Sequence, residues 1–112
     1  MSIAGDLIRG HTDAIILARL SRSDSYGYEI NKIISTLCSG RFELKEATLY
    51  TAFKRLEESG YITSYWGDSG AGARRRYYSI TDSGRTACGR LLLEWDETKD
   101  ILDKLLERSK EA

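Results

Sequence analysis

The chain has 112 residues, 17 basic and 17 acidic side chains, no formal net charge and a 41% hydrophobic content. This allows one domain with one core and excludes a disordered composition, and no apolar run approaches a membrane span. Asp6 interrupts Met1 to Gly10 where a signal peptide would be apolar, so a cytoplasmic protein with no membrane partner is expected.

The first predicted helix runs from Asp6 to Leu20, with Leu7, Ala14 and Leu17, and Ile8 and Ile15, recurring at helical spacing. Its apolar face is wide, so it should bury more than one side. Ser23 to Ser25 break the pattern. A second helix spans Tyr26 to Leu37 on an inner stripe of Ile30, Ile33, Ile34 and Leu37, and Ser39-Gly40 ends it. The third, Lys45 to Ser59, turns Leu49, Ala52, Phe53 and Leu56 inward and stops at Gly60.

The period then changes to two. Tyr61 to Trp66 reads as a strand, Gly67 to Gly72 as a flexible turn, and Arg74 to Ile80 as the returning strand of a hairpin. Thr81-Asp82-Ser83 starts a long helix towards Leu106, with a polar tail after it. Two rows on that helix repeat every seven residues, Cys88/Trp95/Leu102 and Leu91/Thr98/Leu105, which is the spacing of a helix-pairing seam. Cys88, Leu91, Trp95, Leu102 and Leu105 are therefore the candidate dimerisation residues.

Three helices, a basic hairpin and a long helix predict an α+β, mainly helical fold: a winged helix-turn-helix with a long C-terminal dimerisation helix. Residues 1–80 would bind DNA and 81–112 would dimerise, as one compact unit. Groove contacts are expected from Lys45, Thr48, Tyr50, Thr51 and Lys54, and phosphate contacts from Arg74, Arg75 and Arg76. On a strand, Arg74 and Arg76 share a face and Arg75 takes the other. Two plainer readings stand beside these: an arginine edge that only discourages aggregation, and a half-buried Tyr50 that belongs to the core.

Nothing in the chain assembles catalytic chemistry. His11 stands alone on the first helix, and Gly67, Gly70 and Gly72 lack the strand-then-helix setting of a nucleotide site. Cys38 and Cys88 lack metal-ligand spacing and read as buried free thiols rather than a disulfide. No catalytic residue, metal or cofactor is expected.

The runs Glu46 to Ile62 and Arg74 to Arg85, with Tyr26-Gly27-Tyr28-Glu29-Ile30, resemble the signature of the PadR family of bacterial regulators over nearly the whole chain. Thr51 departs from the proline common at its place. The resemblance implies a homodimeric repressor of double-stranded operator DNA, of the small subfamily with one C-terminal helix. The multidrug-binding repressors of that subfamily imply a planar aromatic inducer between the subunits, and control of a drug exporter or a detoxifying enzyme. By the same resemblance Trp95 would stack on the ligand. Leu7, Gly10, Asp13, Ala14 and Leu17 would line the pore from the first helix, and Leu92 and Leu102 from the last, beside Asp96 and Lys99. Lys99 replaces an acidic residue there, which implies a preference shifted towards neutral or anionic aromatics, although Asp13, Asp96 and Asp100 offset it. Two other readings stay open: a winged helix that binds protein, and a DNA-binding regulator whose Trp95 is purely core.

Overall fold

Gly10 and His11 divide what the apolar pattern presents as one helix. In the computed structural model, which describes residues 3–68 and 74–107, α1 spans Ile3–Arg9 and α2 spans Thr12–Leu20. The His11 amide donates to the Ile8 carbonyl at 2.8 Å, and the buried Thr12 hydroxyl donates back to Arg9 at 2.6 Å. Glycine lowers the cost of leaving the helix here, and Asp13 then sits favourably in the first turn of α2.

The remaining elements are β1 (Ser25–Tyr26), α3 (Gly27–Leu37), α4 (Glu46–Glu58), β2 (Ile62–Asp68), β3 (Arg74–Ile80) and α5 (Asp82–Leu105). Three antiparallel strands lie in the order β1-β3-β2. Tyr26, expected to open the second helix, is instead a strand residue paired with Tyr77. Gly67, expected in the turn, belongs to β2 opposite Arg75. From residue 69 the expected glycine turn lies outside the described residues, as does the end of the polar tail.

The core joins all the larger elements. Ile16, Leu17 and Leu20 of α2 meet Ile30 and Ile34 of α3, Leu49, Phe53 and Leu56 of α4, and Tyr78 of β3. Phe53 and Tyr78 stack at 3.9 Å, and the same burial raises the Tyr78 hydroxyl above its ordinary pKa. Leu37 departs from its expected inner stripe and is largely exposed, because it ends α3 beyond the core. Asn31 pins the α3–α4 loop from both sides, donating to the Leu44 carbonyl at 2.6 Å and accepting from its amide at 2.9 Å. Leu44 is thereby buried without leaving its backbone unpaired.

The start of α5 is stitched to the end of α4. Thr81 caps the Gly84 amide at 3.0 Å, and the hydroxyls of Thr81 and Ser83 both donate to the Gly60 carbonyl. Ala87 and Cys88 join the core, whereas beyond Leu91 the helix is exposed on every side. Both cysteines are free, but only Cys88 is buried; Cys38 is half-buried at the end of α3. A Cβ at Gly84 would overlap the Tyr61 carbonyl oxygen and crowd Ile80. Gly84→Ala is therefore expected to destabilise the fold by about 1–3 kcal/mol, despite alanine's better helix propensity, as a urea unfolding series would measure.

Candidate functional site

Burial of Leu49, Ala52, Phe53 and Leu56 fixes which side of α4 faces outward. Thr51 and Lys54 are exposed there, Thr48 is half-buried, and Lys45 precedes the first turn as its exposed N-cap. Tyr50 is 43% exposed. Its ring meets Phe53 edge-on at 5.5 Å and covers Gly27, where any Cβ would strike its hydroxyl. Tyr50 thus both packs α4 on α3 and presents an edge to solvent.

The wing lies beside this helix. Arg74 and Arg76 share one face, as their alternation requires. Arg74 lies 5.2 Å from the Trp66 ring centre. Arg76 donates to the Ser64 hydroxyl at 2.9 Å and pairs with Glu57 at 3.5 Å. Arg75 is on the opposite face, donating to the Tyr26 hydroxyl at 2.8 Å. All three arginines are exposed.

A second feature lies between the N-terminal helices and α5. An apolar groove of about 480 Å³ is lined by Leu7, Ala14, Leu92, Trp95 and Leu102 among others. Trp95 is 41% exposed. A more polar hollow of about 310 Å³ lies against the same tryptophan, with Gly10, Asp13 and Arg55 in its walls. Asp13 pairs with Arg55, which ties α2 to α4 and raises the guanidinium above its ordinary pKa.

Within the protomer, some of these residues stand elsewhere than expected. Leu17 lines neither hollow; it is 0% exposed, because Ala14 and Ala18 turn one side of α2 to the groove while Ile16, Leu17 and Leu20 turn the other to the core. Cys88 is no seam residue in this protomer, since the first turns of α5 bury it in the protomer's own core. The helix break also interrupts the single helix proposed for Leu7, Ala14 and Leu17, although Leu7 and Ala14 still line one groove. Asp96 and Lys99 pair with each other at 3.9 Å and line neither hollow, so within a protomer Lys99 does not face the groove.

His11 and Arg55 are among the lining residues of the groove and the hollow that the sequence did not assign to a site. The His11 ring meets Trp95 edge-on at 5.1 Å, with Nδ1 3.0 Å from the Leu7 carbonyl oxygen. Arg55 reaches the hollow from α4. The Gly10-His11 pair was the signal for the first; Arg55 gave none, since its partner lies 42 residues away.

Among the described residues no group of histidine, cysteine and acidic side chains is placed to hold a metal, and no helix is long and apolar enough to cross a membrane. Known proteins supply the remaining context. An uncharacterised protein of Lysinibacillus sphaericus is 45% identical over 105 residues, covering 94% of this chain and 96% of its own. The structure of a transcriptional regulator from Clostridium thermocellum is 46% identical, with 92% of this chain and 97% of that one covered and a TM-score of 0.83. A PadR family transcription regulator from hypervirulent Clostridium difficile R20291 is 35% identical, with 86% and 98% covered and a TM-score of 0.74. The family model described as "Transcriptional regulator PadR-like family" matches residues 16–90. With the winged helix-turn-helix and its long C-terminal helix already evident, the chain belongs to the PadR-like family of transcriptional regulators.

Proposed function

We propose that this PadR-like regulator is a homodimeric repressor that binds double-stranded operator DNA through α4 and the β2–β3 wing, and that a planar aromatic molecule held between the subunits releases it. The observation that carries the DNA reading is the outer side of α4, where Lys45, Thr51 and Lys54 are exposed next to three exposed wing arginines. Cations on a helix and an adjoining hairpin suit one major groove and its flanking phosphates. Net neutrality does not oppose this, because acidic residues are concentrated in the C-terminal stretch, Glu94 to Glu111.

Dimerisation is supported by the exposed stripe of Leu92, Trp95, Leu102, Leu105 and Leu106 on α5, with Leu105 72% exposed. A continuous apolar face of this kind calls for a partner surface. Pairing of two such helices would bring each groove, with its Trp95, towards its symmetry mate. A ligand that favoured one spacing of the two α4 helices over another would then change operator affinity, since coupling requires different affinities for the two states. By resemblance, the controlled gene encodes a drug exporter or a detoxifying enzyme.

The test is a mobility shift with DNA from upstream of the protein's own gene, alongside light scattering. A dimer at micromolar concentration that shifts this DNA, and is displaced by a planar dye, is the expected result. A monomer overturns the helix-pairing reading. A dimer indifferent to DNA favours the protein-binding winged helix, and a DNA-binding dimer indifferent to planar compounds removes the ligand.

A further inference from the structure

The outer face of the sheet carries a feature that the core does not require. Register places Tyr26 of β1 opposite Tyr77 of β3, and Tyr77 opposite Tyr65 of β2, so three tyrosines form one row across all three strands. Tyr26 and Tyr77 meet edge-on at 5.3 Å, and Tyr77 and Tyr65 stack at 5.6 Å. The Tyr65 hydroxyl donates to Asp24, in the turn before β1, at 2.6 Å. Gly67 leaves the space that the Tyr77 ring fills, since a Cβ there would come within 2.5 Å of it. The row thus braces the wing against the segment leading into α3.

Arg75 lies on this row. Its guanidinium carbon is 4.6 Å from the Tyr26 ring centre, and it donates to the same residue's hydroxyl at 2.8 Å. The contrast with Arg76 is chemical. Arg76 shares its charge with Glu57, whereas among the described residues Arg75 pairs with no carboxylate. An aromatic face and a neutral hydroxyl order a guanidinium without cancelling its charge. Arginine has five N–H donors, so the contact with Tyr26 leaves others for a phosphate.

We infer that Tyr26 is a positioning residue for DNA binding: it holds Arg75, already ordered and paired with no described carboxylate, for contact with a backbone phosphate. The inference rests on the DNA-binding reading above. Its energetic basis is that an arginine fixed before binding loses less side-chain freedom on binding. Tyr26→Leu removes both ring and hydroxyl and should weaken binding to the protein's own promoter duplex about 3- to 10-fold, the range expected for one such side chain. Tyr26→Phe keeps the ring and should retain part of that affinity.

The experiment is a double-mutant cycle on the full-length protein, by fluorescence anisotropy with that duplex over a series of salt concentrations. Arg75→Ala is expected to lower the salt slope by about one unit. In the Arg75→Ala background, Tyr26→Leu and Tyr26→Phe should then cost nothing further. If either Tyr26 variant weakens binding equally with and without Arg75, Tyr26 acts through the fold and the inference is wrong. An Arg75→Ala protein with unchanged affinity and slope defeats the wing's part in the DNA reading instead. Tyr26→Phe barely changes packing, so its cycle decides the matter even if Tyr26→Leu does not fold.

Discussion

Replacing Lys54, Arg74, Arg75 and Arg76 together by alanine is expected to abolish operator binding at physiological salt while leaving the fold intact. All four side chains are exposed, and none belongs to the core. Removing one phosphate-binding cation should flatten the dependence of log affinity on log salt by about one unit, so the quadruple variant should flatten it by up to about four. The contributions are unequal. Arg76 is partly neutralised by Glu57, so its removal alone should cost less than that of Arg75. Thr51→Ala, on the outer side of α4, should alter preference among operator sequences more than affinity for DNA in general, because hydroxyls read base edges as well as phosphates. Binding isotherms for specific and non-specific duplexes at several salt concentrations measure all of this. Unchanged operator affinity in the quadruple variant would mean that α4 and the wing meet something other than DNA.

Trp95→Ala should reduce affinity for planar aromatic compounds about 10- to 100-fold. Two indoles around one flat ligand would contribute about 1–3 kcal/mol beyond area burial, and each 1.4 kcal/mol is tenfold. Among the described residues of one protomer, the aromatic partner of the Trp95 ring is His11, which meets it edge-on, so the ring face that would meet a ligand is not already stacked on a described aromatic. Operator binding by the ligand-free protein should change little, provided light scattering shows the variant still to be a dimer. Calorimetry is the suitable measurement, because Trp66 is 57% exposed and also fluoresces. Equal affinities in the two proteins would assign Trp95 to helix packing. The same titration bears on Lys99. Its exposed pairing with Asp96 lies off the groove, and such pairs contribute about 0–1 kcal/mol. Lys99→Asp should therefore shift the preference between cationic and neutral dyes only weakly, unless the partner subunit brings Lys99 to the ligand.

Local chemistry made most of the elements legible. Leu49, Ala52, Phe53 and Leu56 specify which side of α4 is buried, because a helix that short has one apolar stripe to hide. The strand from Arg74 to Ile80 has the bounds its composition predicts, and Thr81 caps α5 as a threonine before an amphipathic helix should. The family signature also lies in contiguous runs, so the regulatory class is readable without any tertiary contact.

The candidate sites were less legible, because they depend on which long-range neighbour wins each side chain. Leu17 and Cys88 look like pore and seam residues by spacing, yet the protomer's own core takes both. Periodicity reports that a side chain is apolar and not which of two apolar surfaces will claim it. Asp13 and Arg55 are ordinary surface charges in the chain, and only the packing of α2 on α4 joins them. Tyr26 reads as the start of a helix because its local pattern continues into α3; pairing with Tyr77, 51 residues later, makes it a strand residue and brings Arg75 onto its ring. By itself the sequence determined the succession of a helical N-terminal region, the helices α3 and α4, the hairpin and the long last helix, though not β1, together with the inward stripe of α4, the basic wing and the family, all of which follow from local propensity and alternation. The tertiary structure alone decided the pairing that makes Tyr26 a strand residue, the capture of Leu17 and Cys88 by the core, and the hold of Tyr26 on Arg75. Each of these turns on interactions between distant segments, whose strength depends on geometry that no local pattern encodes.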